Sequence, residues 1–200
     1  RRTMNFKRST NSRLVLVTGG AGFIGSHLVD ALMTSGAEVR VIDNLSSGTI
    51  DNIRCWLGND SFEFIKGDLL NKNDLKRATE GCEIVFHLAA NPEVKLGSSA
   101  PEIHFEQNVV ATYRLLESLR RSERLDLFVF TSSSTVYGEA SEIPTPEDYG
   151  PLKPISIYGA SKIASEALIS SYAYTYGFQA VICRLANIIG PRSRHGVIYD

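Results

Sequence analysis

The stretch Leu14-Val-Leu-Val-Thr18-Gly-Gly-Ala-Gly-Phe-Ile-Gly25 decides how the rest of this chain is read. An apolar, β-branched run passes directly into a turn with Gly19, Gly22 and Gly25 spaced three apart, and a helical pattern follows. Glycine permits the tight turn and lets backbone N–H groups approach a pyrophosphate with no Cβ in the way. The helix N-terminus then adds orphan donors and a favourable dipole. A glycine motif of this kind is weak alone and gains value from its strand–turn–helix context.

Outward from this turn, short β-branched runs alternate with stretches of helical length. Strands are expected at Leu14–Thr18, Glu38–Asp43, Phe62–Lys66, Glu83–Leu88, Leu127–Ser132 and Ala180–Arg184. Several are continuous apolar runs, as parallel strands buried on both faces require. The clearest helix is Ile103–Arg121, where Val109, Thr112, Leu115, Leu116 and Leu119 recur at three- and four-residue steps. The fold class is therefore α/β, a doubly wound parallel sheet of Rossmann-like type with ligands at the carboxyl ends of its strands.

The second strand ends in Asp43, 18 residues after Gly25, where a carboxylate can accept the hydroxyls of an adenosine ribose. It would repel a 2′-phosphate, and Asn44 to Thr49 hold no Arg or Lys to receive one, which favours NAD over NADP. Asp68, after the third strand, can meet the adenine or cap the helix from Asn71.

Tyr158-Gly-Ala-Ser-Lys162 opens an amphipathic helix, so Tyr158 and Lys162 project from one face. An ammonium beside the phenol, together with a cationic nicotinamide, favours the phenolate and makes Tyr158 a candidate base. Tyr149 and Lys153 share the spacing, but Pro151 and Pro154 prevent a regular helix there. Thr131-Ser-Ser-Ser-Thr135 closes a strand at the same edge. A hydroxyl from it can stabilise charge on a reacting oxygen, while Ser132 and Ser134 read better as satisfying backbone groups.

The 200 residues are 43% hydrophobic and 22% charged, material for one sizeable core. No apolar run is long enough to cross a bilayer. Arg1, Arg2, Lys7, Arg8 and Arg13 precede Leu14 with no acid among them, leaving 16 basic against 22 acidic groups in the remainder, which disfavours a nucleic-acid surface. Residues 1–13 are expected to be a flexible basic tail. Cys55, Cys82 and Cys183 form no paired motif, which points away from a disulfide framework and towards a cytoplasmic protein. No G-x-S-x-G occurs, and His27, His87, His104 and His195 show no ligand spacing, so neither a Ser-His-Asp hydrolase nor a metal enzyme is suggested.

The ordered set of Thr18–Gly25, Asp43-Asn44-Leu45, Gly67-Asp68-Leu69, His87-Leu88-Ala89-Ala90, Ser132–Gly138, Tyr158–Lys162 and Arg184-Leu-Ala-Asn187 resembles the extended short-chain dehydrogenase/reductase family. More narrowly it resembles NAD-dependent nucleotide-sugar epimerases of the UDP-glucose 4-epimerase type, over nearly everything from Leu14 to Arg192. The resemblance implies Tyr158 as base, Lys162 on the nicotinamide ribose, and Ser133 as hydroxyl partner to the UDP-sugar. It also puts Gly19, Gly22, Phe23, Ile24, Gly25, Asp43, Asn44, Leu45, Asp68, Leu69, Leu88, Ala89, Ala90 and Asn108 around NAD, with Asn187 near the substrate phosphates.

Two departures stand out. Asn91 and Pro92 follow Ala89-Ala90 where bacterial hexose epimerases carry a Lys shortly after. Family members also continue for roughly another hundred residues in a substrate-covering domain, so a small carboxy-terminal domain beginning after about Asn187 is expected to be mostly outside this chain, which should hold NAD without catalysing. Relatives that eliminate water resemble a Thr-Asp-Glu before Val-Tyr-Gly, and decarboxylases keep a Glu there. Ser134 and Thr135 occupy those positions, which favours C4 epimerisation over dehydration or decarboxylation. A dinucleotide-binding sensor or scaffold without turnover is the alternative of another class. The outer faces of Ile103–Arg121 and Ile155–Tyr176 could support a homodimer, as the resemblance suggests, or simply cover the sheet.

Overall fold

The computed structural model describes residues 13–93, 97, 99–121 and 124–193. Among these, a parallel sheet of six strands runs in the order β3-β2-β1-β4-β5-β6. The strands are β1 (Leu14–Thr18), β2 (Glu38–Asp43), β3 (Phe62–Lys66), β4 (Ile84–His87), β5 (Leu127–Ser133) and β6 (Gln179–Leu185). The helices are α1 (Phe23–Thr34), α2 (Lys72–Thr79), α3 (Pro101–His104), α4 (Ala111–Leu119) and α5 (Ile157–Tyr176), with short 3-10 turns at Ile50–Trp56 and Ser134–Tyr137. This is the doubly wound architecture read from the β/α alternation. No helix among the described residues is long and apolar enough to cross a membrane.

Strand β1 shows why the sheet needs helices on both faces. Leu16 enters a core cluster with Ile42, Val85, Leu115 and Phe128, while Val15 and Val17 enter another with Val29, Val39 and Val41. Successive side chains of a strand point to opposite faces, so a run apolar at every position must be covered twice. Pairing Thr18 with Ile42 on one side and with His87 on the other places the reversal of strand order at the end of β1. Neighbouring loops diverge there and leave a crevice.

β5 runs on to Ser133, β6 spans Gln179–Leu185 and α5 begins at Ile157, each a residue or two from its expected bounds, and three further differences have a visible cause. β4 ends at His87: the Leu88 N–H makes the last ladder bond, to Thr18 O (3.2 Å), and the next donor, Ala89 N–H, goes to the Thr18 side chain (Oγ1, 3.1 Å). The single helix expected at Ile103–Arg121 begins at Pro101 and contains a π segment, Phe105–Val110, between α3 and α4. A π turn inserts an extra residue, which a 3.6-residue period does not reveal. Finally, α2 is capped by Asn71, whose Oδ1 accepts from the N–H groups of Asn73 and Asp74, and not by Asp68. Of the expected basic tail, residues 1–12 lie outside the described residues. Arg13 itself is anchored, its guanidinium 3.2 Å from Asp126 and 3.7 Å from Glu83. Residues 194–200 of the region after Asn187 also lie outside.

Candidate active site

At the strand ends lies an open cavity of about 1480 Å³. Single drug-sized ligands occupy pockets of about 300–1,000 Å³, so this space suits something larger. Its floor begins with the glycine turn. Gly19 has φ +71°, and a Cβ there would lie 2.8 Å from Ala89 N. A Cβ on Gly25 would lie 2.2 Å from Gly19 O, so only glycine lets α1 begin this close to the turn. The Gly22 cap makes no side-chain hydrogen bond to the first turn of α1, so that turn presents its donors to the cavity beside Phe23 and Ile24. A dinucleotide's pyrophosphate fits that cradle.

Asp43 sits at the end of β2, nearly buried, with Oδ2 accepting from Ala21 N (3.0 Å) and Oδ1 from Leu45 N (2.8 Å). Burial raises its pKa, and these two bonds oppose the rise. The carboxylate thus ties the glycine turn to the β2 loop, and its remaining lone pairs face the cavity it lines. Next to it, Asn44 donates through Nδ2 to Asp68 Oδ2 (3.0 Å), and Asp68 Oδ1 accepts from Leu70 N (2.8 Å). Asn44, Asp68 and Leu69 line the wall, as do Leu88, Ala89 and Ala90 beyond β4.

Two expected cofactor residues stand elsewhere. Leu45 adopts φ +62° and packs its side chain into the core cluster around Val41, off the cavity wall. Asn108, in the π segment, is buried and its amide is spent internally: Oδ1 accepts from Asn91 N (2.8 Å) and Nδ2 donates to Ser161 Oγ (3.0 Å). It fixes the loop after β4 against α5, and the wider π turn is what aims it there.

Ser133, Tyr158 and Lys162 come together where β5 meets α5. Ser156 caps α5 by accepting from Gly159 N (3.0 Å), which puts Tyr158 in the first turn and Lys162 one turn on. Lys162 is almost wholly buried, donates to Thr131 O (2.9 Å), and lies 4.8 Å from the Phe130 ring centroid and 5.7 Å from that of Tyr158. Burial pushes its ammonium down to about 8, against support from the Glu166 carboxylate. Ser133 Oγ accepts from Thr135 N (3.2 Å) and Thr135 Oγ1 (3.0 Å), which leaves its one proton free to turn towards the Tyr158 phenol. Burial raises the phenol's pKa, and the Ser133 bond only partly opposes it. The expected lowering of Tyr158 rests on Lys162 together with a cationic nicotinamide; in the chain alone, burial dominates.

The other two serines, both expected to satisfy backbone groups, differ. Ser132 donates its hydroxyl to the Glu166 carboxylate, not to backbone, whereas Ser134 is exposed. Asn187 lines the cavity wall after β6. The segment it starts crosses the mouth of α1: Pro191 O bonds His27 Nε2 (2.9 Å) and Arg192 pairs with Asp30 (2.8 Å).

His87 carries a role its spacing did not announce. Thr112 Oγ1 donates its only proton to Asn108 O (2.6 Å), so at 2.9 Å it accepts from His87 Nε2–H. His87 Nδ1 is then the acceptor for Thr18 Oγ1 (2.8 Å), which in turn receives the N–H groups of Leu88 and Ala89. The ring is fully buried, and burial holds it neutral, its pKa down to about 3. It pins the end of β4 to the glycine turn.

A protein-family model described as the NAD dependent epimerase/dehydratase family matches residues 15–198. The UDP-glucose 4-epimerase of Mycolicibacterium smegmatis is 39% identical over 178 residues, covering 88% of this chain and 56% of that protein. Among solved structures, a UDP-galactose 4-epimerase superposes with TM-score 0.81 at 49% identity, covering 93% of this chain and 60% of that one. The Thermus thermophilus UDP-glucose 4-epimerase in complex with NAD gives 0.82 at 39% identity, with 92% and 58% covered. The chain spans about 60% or less of the length of three curated relatives that it matches.

Proposed function

Since the chain belongs to the NAD dependent epimerase/dehydratase family, we propose that its site is that of a nucleotide-sugar epimerase, inverting C4 of a UDP-hexose through a 4-keto sugar with tightly held NAD. The observation that carries this reading is the placing of Ser133, Tyr158 and buried Lys162 together on one cavity that the glycine cradle and Asp43 also line. NAD, when bound, supplies the acceptor and later the donor of the C4 hydride.

Tyr158 takes the C4 hydroxyl proton on its phenolic oxygen and returns it after the sugar has turned. Ser133 donates a hydrogen bond to the reacting oxygen as its charge develops. Lys162 spends one N–H on Thr131 O, keeps two for the nicotinamide ribose, and contributes positive charge beside Tyr158. Burial raises the Tyr158 pKa, so the phenolate relies on positive charge beside it, that of Lys162, to which a bound oxidised nicotinamide would add. Ser134 and Thr135 put no carboxylate beside the reacting sugar, so reversible oxidation has its groups here and elimination of water lacks its acid. Asp43, with no cation in the loop behind it, favours NAD over NADP. The outward Tyr113 of α4 and Tyr174 of α5 suit a homodimer contact.

The test is incubation of the whole protein with UDP-glucose and related nucleotide sugars, following the C4 isomer by NMR. Turnover should be abolished in Tyr158→Phe while bound NAD is retained. Tight NAD binding with no turnover of any nucleotide sugar would instead support the sensor or scaffold reading.

A further inference from the structure

Glu166 and Arg184 form an ion pair beneath the reacting edge that the proposed chemistry does not use. Arg184 Nη2 donates to Glu166 Oε2 (2.8 Å) and Nε to Oε1 (3.1 Å), a fork that also leaves Oε1 to accept the Ser132 hydroxyl. Its remaining nitrogen, Nη1, donates to Tyr137 Oη (3.2 Å) and Glu147 O (3.0 Å), and the guanidinium stacks over the Tyr137 ring at 5.0 Å. Ser132 and Tyr137 bracket the turn that carries Ser133. Both ends of that turn are therefore held by one ion pair, its carboxylate buried and its guanidinium partly exposed.

Resting on the epimerase reading, we propose that Glu166 is a positioning residue: with Arg184 as its counterion, it fixes the Ser132–Tyr137 segment so that the Ser133 hydroxyl meets the Tyr158 phenol. Stability alone does not explain a carboxylate only 7% exposed at this place. A buried ion pair is often matched or exceeded in stability by apolar residues of similar size, whereas its directional bonds define a unique geometry. Glu166 also lies one turn beyond Lys162 on α5, and its charge supports the ammonium. The groups facing Lys162 are Tyr158 and Glu166 on α5, neutral His87 on β4, and the Thr131 carbonyl on β5; Arg184 on β6 sits against Glu166.

The test compares Ser132→Ala and Glu166→Gln with wild type in the whole protein. Bound NAD should be unchanged in both. Backbone amide exchange should rise about tenfold in the segment 133–138. With UDP-glucose, kcat should fall on the order of 10- to 100-fold with KM unchanged, as expected when geometry at the reacting atoms is lost. In Glu166→Gln the alkaline limb of kcat/KM should move to lower pH, because Lys162 loses its supporting anion. Arg184→Lys should retain more turnover than Arg184→Met. Unchanged exchange in 133–138 together with wild-type kcat and pH profile would overturn the proposal. Should Glu166→Gln not fold, Ser132→Ala decides it. Should the wild type turn over no nucleotide sugar, the epimerase reading fails, and the exchange measurement still decides whether Glu166 holds the turn.

Discussion

Replacing His87 by Gln removes the one buried imidazole that joins β1, β4 and α4, and the structure sets how stability should then respond to acid. In the native state the ring is held neutral with its pKa near 3, against 6.5 for the free group. Between those values the unfolded chain binds a proton that the folded chain refuses, so stability falls as pH falls through this window. The stabilising difference is fully present above pH 6.5 and is lost towards pH 3. Each pH unit inside it is worth about 1.4 kcal/mol, so moving from about pH 7 to about pH 5 should cost the wild type about 2 kcal/mol through this residue. Gln does not titrate. It can still donate to Thr112, but it abandons the Thr18 hydroxyl and the ring contacts, a loss of about 2–3 kcal/mol at neutral pH. Urea unfolding of both proteins at the two pH values gives the double difference, in which carboxylates common to both cancel. Wild type and His87→Gln should converge by about 2 kcal/mol at the lower pH. An identical pH dependence of the two would refute the argument that burial keeps His87 neutral.

Other perturbations test the cavity directly. Gly25→Ala puts a Cβ 2.2 Å from Gly19 O, and backbone must move to admit it, so NAD affinity measured by calorimetry should fall at least about 100-fold; wild-type affinity would show that the turn is not the cradle. Asp43→Asn loses an acceptor for either Ala21 N or Leu45 N and removes the charge facing a 2′-phosphate, so NAD should bind about tenfold or more weaker and its advantage over NADP should shrink. An unchanged preference would locate the discrimination elsewhere. Lys162 is charged in both states below pH 8 and carries a desolvation cost there, which is relieved as pH rises from about 8 to 10.5. Lys162→Met should therefore be about 2–3 kcal/mol more stable than wild type at neutral pH, and inactive. A thermal melt showing it less stable would mean that the Thr131 and Glu166 contacts outweigh desolvation.

Much of this molecule is written in short-range pattern. Continuous apolar runs separated by helical lengths imply a parallel sheet covered on both faces, and the glycine spacing implies a helix begun hard against a strand. Asp43 follows from the position at which β2 must end, and Tyr158 with Lys162 from one helical turn. All of these depend on residues a few positions apart, where backbone geometry leaves few choices. Tertiary structure decided the rest. Whether Asn108 faces ligand or core depended on a π turn that amphipathic periodicity cannot register. Ser132 and Ser134 carry the same hydroxyl two residues apart, and only the placement of Glu166, 34 residues from Ser132, makes one a buried donor while the other meets solvent. His87 and Lys162 are titratable groups of ordinary type, and burial makes one neutral and weakens the other's hold on its proton. Desolvation is set by everything packed around a group, from elements distant in the chain. For that reason the sequence by itself determined where Ser133, Tyr158 and Lys162 stand, and the three-dimensional packing alone decided the charge of the buried groups and which of them touch.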